Sequence, residues 1–386
     1  MMKLIKKLLF ILFGLILLLS LWLVLADRTY LVEAVRVTWL QGKGDVTIDD
    51  FRLQKTRIVK KGRPQTWKKH TDYNKVTLSP EIRQLHDSLQ SLAFLVIKDG
   101  KLLQERYFRE GGPDHATGLW SVTKSFTAMM MLKAIEEGHI GNVDDPLTQY
   151  LPDWPVTQDP ALTLKHLGSM NTGLFWDEQA HDPLALITKL NFTSDLEAFV
   201  LEDMYAVSPP GTKQHYNSGG TQTLGLVLDR ILQNTTISEY FATRFWQPLG
   251  CENHGQFLVD GQGFEKTFGG MVSTARDLSK FGQLLLNRGQ WQGKQLLSEA
   301  SIRQLTTKPY NNTTYTFGMW TGAFEGTPFY YLSGFLGQVC IVVPEHNLVI
   351  TRLGHKATAK PHLEAVSPDV YDYIAEAIRI SNDSLD

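Results

Sequence analysis

The sequence predicts an α+β fold in which one sheet, assembled from segments far apart in the chain, is flanked by helices. A helical subdomain falls between the strand regions, and a transmembrane helix precedes the whole. Three observations carry this. Runs of strand character lie near both ends of the body, at 93–108 and 329–353. The stretch between, about 141–263, is mostly helical or loop-like and is punctuated by Pro152, Pro155, Pro209 and Pro210. An almost unbroken apolar run occupies residues 8–26.

At roughly 1.5 Å rise per residue that run approaches the thickness of a bilayer core. Lys3, Lys6 and Lys7 precede it. Positive charge ahead of the span holds residues 1–7 in the cytoplasm, which predicts a single-pass inner (cytoplasmic) membrane protein with its body periplasmic or extracellular. A cleaved signal peptide is the competing reading, because Val24-Leu25-Ala26 resembles a small-residue cleavage site. The apolar core is longer than the usual h-region of about 7–15 residues, which favours the anchor. Residues 27–75 read as a linker and N-terminal extension. The basic residues Arg57, Lys60, Lys61, Arg63 and Lys68 are interrupted by Gly62 and Pro64 without an amphipathic period, and so read as a solvated face.

The body is expected over 76–386. Residues 93–108 read as two strands joined at Asp99-Gly100, a dipeptide tolerant of positive φ. Residues 121–137 carry Phe126, Met129, Met130 and Ile135 at helical spacing, and Gly138 supplies a stop. Residues 274–287 form an amphipathic helix with Leu278, Phe281, Leu284 and Leu285 on one side, followed by Gly289. Strand character returns at 329–332 and 339–353, the latter broken by the turn signal Pro344-Glu345-His346-Asn347, and 369–380 makes a closing helix. No internal repeat is present.

With 386 residues, 43% hydrophobic and 20% charged, the chain can bury a full core. A net charge of -2 and pI near 6.6 give no case for nucleic acid. The two cysteines, Cys251 and Cys340, exclude a disulfide scaffold; a single bridge between them stays open, although Cys340 lies in an apolar run and reads as a small hydrophobe. The eleven histidines show no HExxH pair or metal spacing, so neither metal nor cofactor is expected.

Ser121-Val122-Thr123-Lys124 is an S-x-x-K. If it opens the helix, the three-residue spacing puts the amine one turn beyond the hydroxyl on the same face. Burial and the positive end of the helix dipole both disfavour the ammonium, so a neutral amine can take the serine proton. Alone the motif is weak, since about one occurs by chance in a chain of this size and a serine can simply cap a helix.

Its surroundings change that. Residues 118–127, Gly-Leu-Trp-Ser-Val-Thr-Lys-Ser-Phe-Thr, resemble the nucleophile region of the β-lactamase and penicillin-binding-protein serine hydrolases. In the same order follow Asp144-Asp145-Pro146-Leu147 with Tyr150-Leu151-Pro152, then Leu167-Gly168-Ser169-Met170-Asn171-Thr172-Gly173-Leu174, and Gly269-Gly270-Met271 with Ser273-Thr274-Ala275-Arg276-Asp277-Leu278. These resemble the family's DDPV…YLP, LLTHTSGL and GGL-STARDL segments and span nearly the whole soluble chain. The resemblance implies a β-lactamase/transpeptidase-like fold with an antiparallel sheet.

It also implies site residues. Pro210-Gly211-Thr212-Lys213-Gln214-His215-Tyr216-Asn217-Ser218-Gly219 is similar to the stretch that carries the family's catalytic tyrosine, which maps onto Tyr216, a proton shuttle. Ser218 stands where β-lactamases have asparagine; it can still bind a substrate or Lys124, and this variant resembles the 6-aminohexanoate-oligomer hydrolase and esterase branch. The family's K-T-G or H-x-G matches Leu332-Ser333-Gly334, followed by Phe335. The cation is missing, which argues against an anionic β-lactam and for neutral amides or esters. Ser333 and Gly334 become substrate-binding candidates, and the backbone N–H groups of Ser121 and Phe335 the oxyanion hole.

The reading is a serine hydrolase acting through an acyl-enzyme on a small-molecule or short-peptide amide or ester, with Ser121 as nucleophile and Lys124 as general base. The alternative is a non-catalytic, membrane-tethered sensor or binding module, motivated by the altered second and third motifs. Substrate identity depends on loops without a readable code, such as 175–183, and oligomeric state is equally unreadable.

Overall fold

The computed structural model describes residues 2–155, 161–310, 313–358 and 366–384. The chain opens with α1 (Met2–Leu25), α2 (Tyr30–Val37), β1 (Thr56–Val59) and α3 (Pro80–Ser88). A hairpin of β2 (Ser91–Lys98) and β3 (Lys101–Tyr107) precedes the short β4 (Thr117–Gly118) and the helix α4 (Val122–Glu136). The helical region contains α5 (Leu164–Gly168), α6 (Leu186–Phe192), α7 (Leu196–Glu202), α8 (Ser218–Ile231) and α9 (Ile237–Phe241). Then come β5 (Gly255–Leu258), β6 (Met271–Ser273), α10 (Ala275–Leu286), β7 (Gln290–Trp291), β8 (Lys294–Gln295) and α11 (Glu299–Thr306). The chain closes with β9 (Trp320–Phe324), β10 (Thr327–Gly334), β11 (Gln338–Val343), β12 (Leu348–Gly354) and α12 (Pro368–Asp383).

Distant segments do build one antiparallel sheet, in the order β3-β2-β12-β11-β10-β9. Its hairpin turn has Asp99 at φ 49° and Gly100 at φ 72°, the pair of left-handed residues a two-residue turn needs to match strand twist. Helices α4 and α10 cover one face, and α3 and α12 the other. With both faces covered, β2 reads as a continuous apolar run rather than an alternating one. Helix α4 is buried on all sides, so its apolar residues ring the helix instead of forming a stripe, and Gly138 at φ 77° follows its end.

Residues 27–75 do more than join α1 to the body. Their strand β1 pairs antiparallel with β5 in a second sheet of order β1-β5-β6-β4, and α2 packs on α6. The same sheet holds β4, which delivers the chain to Ser121. Both cysteines are free and buried; burial pushes the Cys340 thiol up to about 12, consistent with a packing role. Helix α1 has no buried residue, so an apolar surface long enough to cross a bilayer is left uncovered by the body.

Candidate active site

Ser121 stands at the N-cap of α4. It is delivered by Trp120, held in the left-handed region at φ 51°, a conformation costing an aromatic residue on the order of 1–3 kcal/mol. The surroundings impose it: Leu119 N–H donates to Met271 O at 2.8 Å, and the Thr123 hydroxyl donates to Trp120 O at 2.6 Å. One turn on, Lys124 Nζ lies 2.9 Å from Ser121 Oγ and donates to Phe268 O at 2.8 Å. Its side chain is buried among packed neighbours. Burial lowers the Lys124 pKa to about 8, opposed by the negative charge of Glu178.

Tyr216 reaches the same place from the other side. Its ring centroid lies 5.0 Å from Lys124 Nζ, and it stacks on Trp320 at 5.6 Å with Tyr315 edge-on at 5.9 Å. Burial pushes the phenol well above its ordinary range, with Tyr315 and Glu178 adding to the effect and a hydrogen bond with the Ser121 side chain opposing it. The environment therefore drives the amine toward its neutral form and keeps the phenol protonated. Such divergence separates a base from a proton donor.

Ser218 is the first residue of α8 and lines the same cleft, but its hydroxyl is engaged. It donates to Glu178 Oε1 at 2.6 Å, and the Ser218 N–H donates to Oε2 at 3.3 Å. The Trp176 indole N–H also donates to this carboxylate. Glu178 is the group that sequence reasoning missed. Nothing in the sequence of its loop marks which acid turns inward, because the Ser218 hydroxyl and N–H that hold it come from 40 positions away at the start of α8.

The end of β10 supplies the third wall. A Cβ on Gly334 would lie 2.1 Å from Leu119 O and 3.3 Å from Ser121 N, so only glycine lets this strand lie against the turn that carries Ser121. Ser333, Gly334 and Phe335 all line the cleft, and the Phe335 ring packs edge-on against Trp120 at 5.8 Å. Leu332 is buried in the main core and is not part of the lining. Ser121, Tyr216, Ser218, Ser333, Gly334 and Phe335 thus share one cleft of about 380 Å³, with Lys124 bonded to Ser121 at its floor.

Among its described lining residues are the carboxylates of Glu178, Asp182 and Asp369 and no lysine or arginine. The N-terminal extension also takes part. Val46 lines the cleft, and Asp45 pairs with His181 of the opposite rim at 2.6 Å. Among the described residues, no group of three or more His, Cys, Asp or Glu side chains is arranged to hold a metal.

Known proteins share this architecture. The structure of the penicillin-binding protein from Bacillus halodurans superposes with a TM-score of 0.60 at 20% identity, covering 77% of this chain and 99% of that one. A D-stereospecific amidohydrolase from Streptomyces sp. superposes at 0.57 and 18% identity, covering 69% and 89%. In sequence, the chain is similar to the 6-aminohexanoate-dimer hydrolase of Paenarthrobacter ureafaciens, 25% identical over 239 residues that make up 59% of this chain and 60% of that protein. It is also similar to the teichoic acid D-alanine hydrolase of Staphylococcus aureus strain MRSA252, 26% identical over 196 residues, 48% of this chain and 45% of that one. The alignments therefore span less than two thirds of either relative. The profile of the β-lactamase family matches residues 79–366, the stretch that builds the two larger sheets except β1 and the described cleft lining except Val46, Ser367, Asp369 and Val370, and the chain belongs to that family.

Proposed function

We propose that this chain is a serine hydrolase that forms an acyl-enzyme at Ser121 on a neutral or cationic amide or ester. The observation that carries the reading is the 2.9 Å contact between the Ser121 hydroxyl and a buried Lys124 amine at the floor of an open cleft. The neutral amine takes the hydroxyl proton as Oγ bonds to the substrate carbonyl carbon. Charge on the carbonyl oxygen is met by the N–H groups of Ser121 and Phe335. As the C–N or C–O bond breaks, Tyr216 passes the leaving group a proton, replenished from Lys124. Water then attacks the ester on Ser121, and the same groups return the proton to Oγ as the acid departs.

The substrate class follows from charge. An anionic substrate would meet Glu178, Asp182 and Asp369 with no lysine or arginine among the described lining residues to bind its carboxylate, and like charges disfavour it. We predict turnover of p-nitrophenyl esters and uncharged or amine-bearing linear amides, and nitrocefin hydrolysis at least about 10²-fold slower in kcat/KM. The test is a panel of these compounds assayed side by side. Efficient nitrocefin turnover would reverse the assignment of substrate charge, and no turnover with any member would favour a binding module.

A pH profile tests the base. With Lys124 required neutral and its pKa lowered to about 8, kcat/KM should rise with pH through that region. Glu178 opposes the lowering, so Glu178→Gln should shift the rising limb toward lower pH. A shift to higher pH would show that the group being titrated is not Lys124.

We further propose that α1 anchors the chain as a single span in the inner (cytoplasmic) membrane, with the hydrolase body on the periplasmic or outer side. Support comes from its uncovered apolar surface and the lysines that precede it.

A further inference from the structure

Helix α2 has two apolar faces. Tyr30, Ala34 and Val37, at spacings of four and three, pack against Phe192 of α6 and against Val46. On the opposite side Val32 and Val35, three residues apart, are 61% and 42% exposed, and in the 3-10 turn that follows α2 Trp39 and Leu40 are 75% and 73% exposed. A helix in a soluble body buries one stripe and gives the other to polar residues. Here the outward stripe is apolar and no described residue covers it.

A second set of exposed apolar side chains lies where α1 ends at Leu25, five residues before α2 begins at Tyr30. Exposed Leu184 and Phe175, the latter stacked on exposed Tyr205 at 5.1 Å, lie around the end of α1 beside Ala26 and Arg28. The junction is fixed to the body rather than loose: Asp27 pairs with Lys189, and the Tyr30 hydroxyl donates to Pro183 O at 3.1 Å. Exposed aromatic and aliphatic side chains around the exit of an apolar helix, beside the charged Asp27, Arg28, Asp177, Lys189 and Asp203, match the mixed chemistry of the headgroup and acyl-chain boundary.

We propose that the outward face of α2, together with the patch at the end of α1, is a seat for the outer leaflet of the lipid bilayer. The proposal rests on the anchor reading above. Its consequence concerns the cleft. Phe192 and Val46, which the inner face of α2 packs against, are themselves cleft-lining residues, so only the thickness of one helix, about 10 Å, separates lipid from the cleft wall. The site is thereby held beside the membrane surface, where amphiphilic amides and esters concentrate.

The full chain, reconstituted in phosphatidylcholine and phosphatidylglycerol liposomes, tests this without reading activity. Cys251 and Cys340 are buried, so Val35→Cys or Trp39→Cys gives a single reactive thiol for an environment-sensitive fluorophore. Leu12→Cys serves as the bilayer reference and Glu299→Cys, on an exposed side chain, as the aqueous one. The expected result is that labels at 35 and 39 are quenched by lipid-borne nitroxide and are several-fold less sensitive to iodide than the label at 299. Iodide quenching equal to that at 299 overturns the seat while leaving the anchor intact if the label at 12 is lipid-quenched. Shielding from both quenchers, with disulfide-linked dimers of Val35→Cys on oxidation, overturns it in favour of a second copy. Iodide access at 12 removes anchor and seat together.

Discussion

Ser121→Ala is expected to abolish covalent labelling by a fluorophosphonate and to lower kcat/KM for a p-nitrophenyl ester by at least about 10³-fold. The Tyr216 phenol is no substitute, because burial keeps it protonated. Lys124→Met should cost a similar factor, because the serine then keeps its proton. The double variant should be no worse than either single one, since two groups that act as a unit lose their effect together. Folding and catalysis separate in the same experiment. Lys124 is a buried amine whose charged form is disfavoured, so methionine of comparable length should leave the melting temperature nearly unchanged even though Phe268 O loses a donor. If Lys124→Met labels and turns over like the wild type, Lys124 is not the base. If both variants retain esterase activity, the assignment of Ser121 and Lys124 as nucleophile and base falls.

Much of this site was legible in the sequence because its signals are local. Asp99-Gly100 encodes the turn that sets the β2–β3 register, and Ser121 and Lys124 are one helical turn apart whatever else the chain does. Gly334 could be singled out because a close approach of backbone leaves a glycine behind. What stayed hidden depends on contacts between remote segments. The inward turn of Glu178 is set by Ser218, and the contribution of residues 27–75 by the pairing of β1 with β5 and of Asp45 with His181. A stretch rich in lysine and arginine looks like a linker when its partners, such as Glu265 for Arg57, are some 200 residues away. The outward stripe of α2 was missed for the opposite reason. It looks like ordinary helix amphipathicity until the structure shows that the other face is the buried one.

Gly334→Ala should be the most damaging small substitution outside the catalytic side chains. Its new methyl would sit 2.1 Å from Leu119 O, well inside any contact distance, and 3.3 Å from Ser121 N. Both are backbone atoms that cannot swing away, and Leu119 is tied to Met271 O by its own N–H. The strand end must therefore retreat from the nucleophile turn and carry the Phe335 N–H with it. An oxyanion donor displaced in this way costs roughly 2.7–4 kcal/mol of transition-state stabilisation, so kcat should fall about 10²–10³-fold while KM for a small ester changes little. The strain should also lower stability by about 1–3 kcal/mol, visible in a denaturant melt. Ser333→Ala provides the contrast, since Ser333 faces the cleft without a close backbone neighbour in the way and its loss should act on substrate affinity more than on kcat. Activity of Gly334→Ala within about twofold of the wild type would mean that the N–H of Phe335 is not a donor to the oxyanion, and the second donor would have to be sought elsewhere along the cleft.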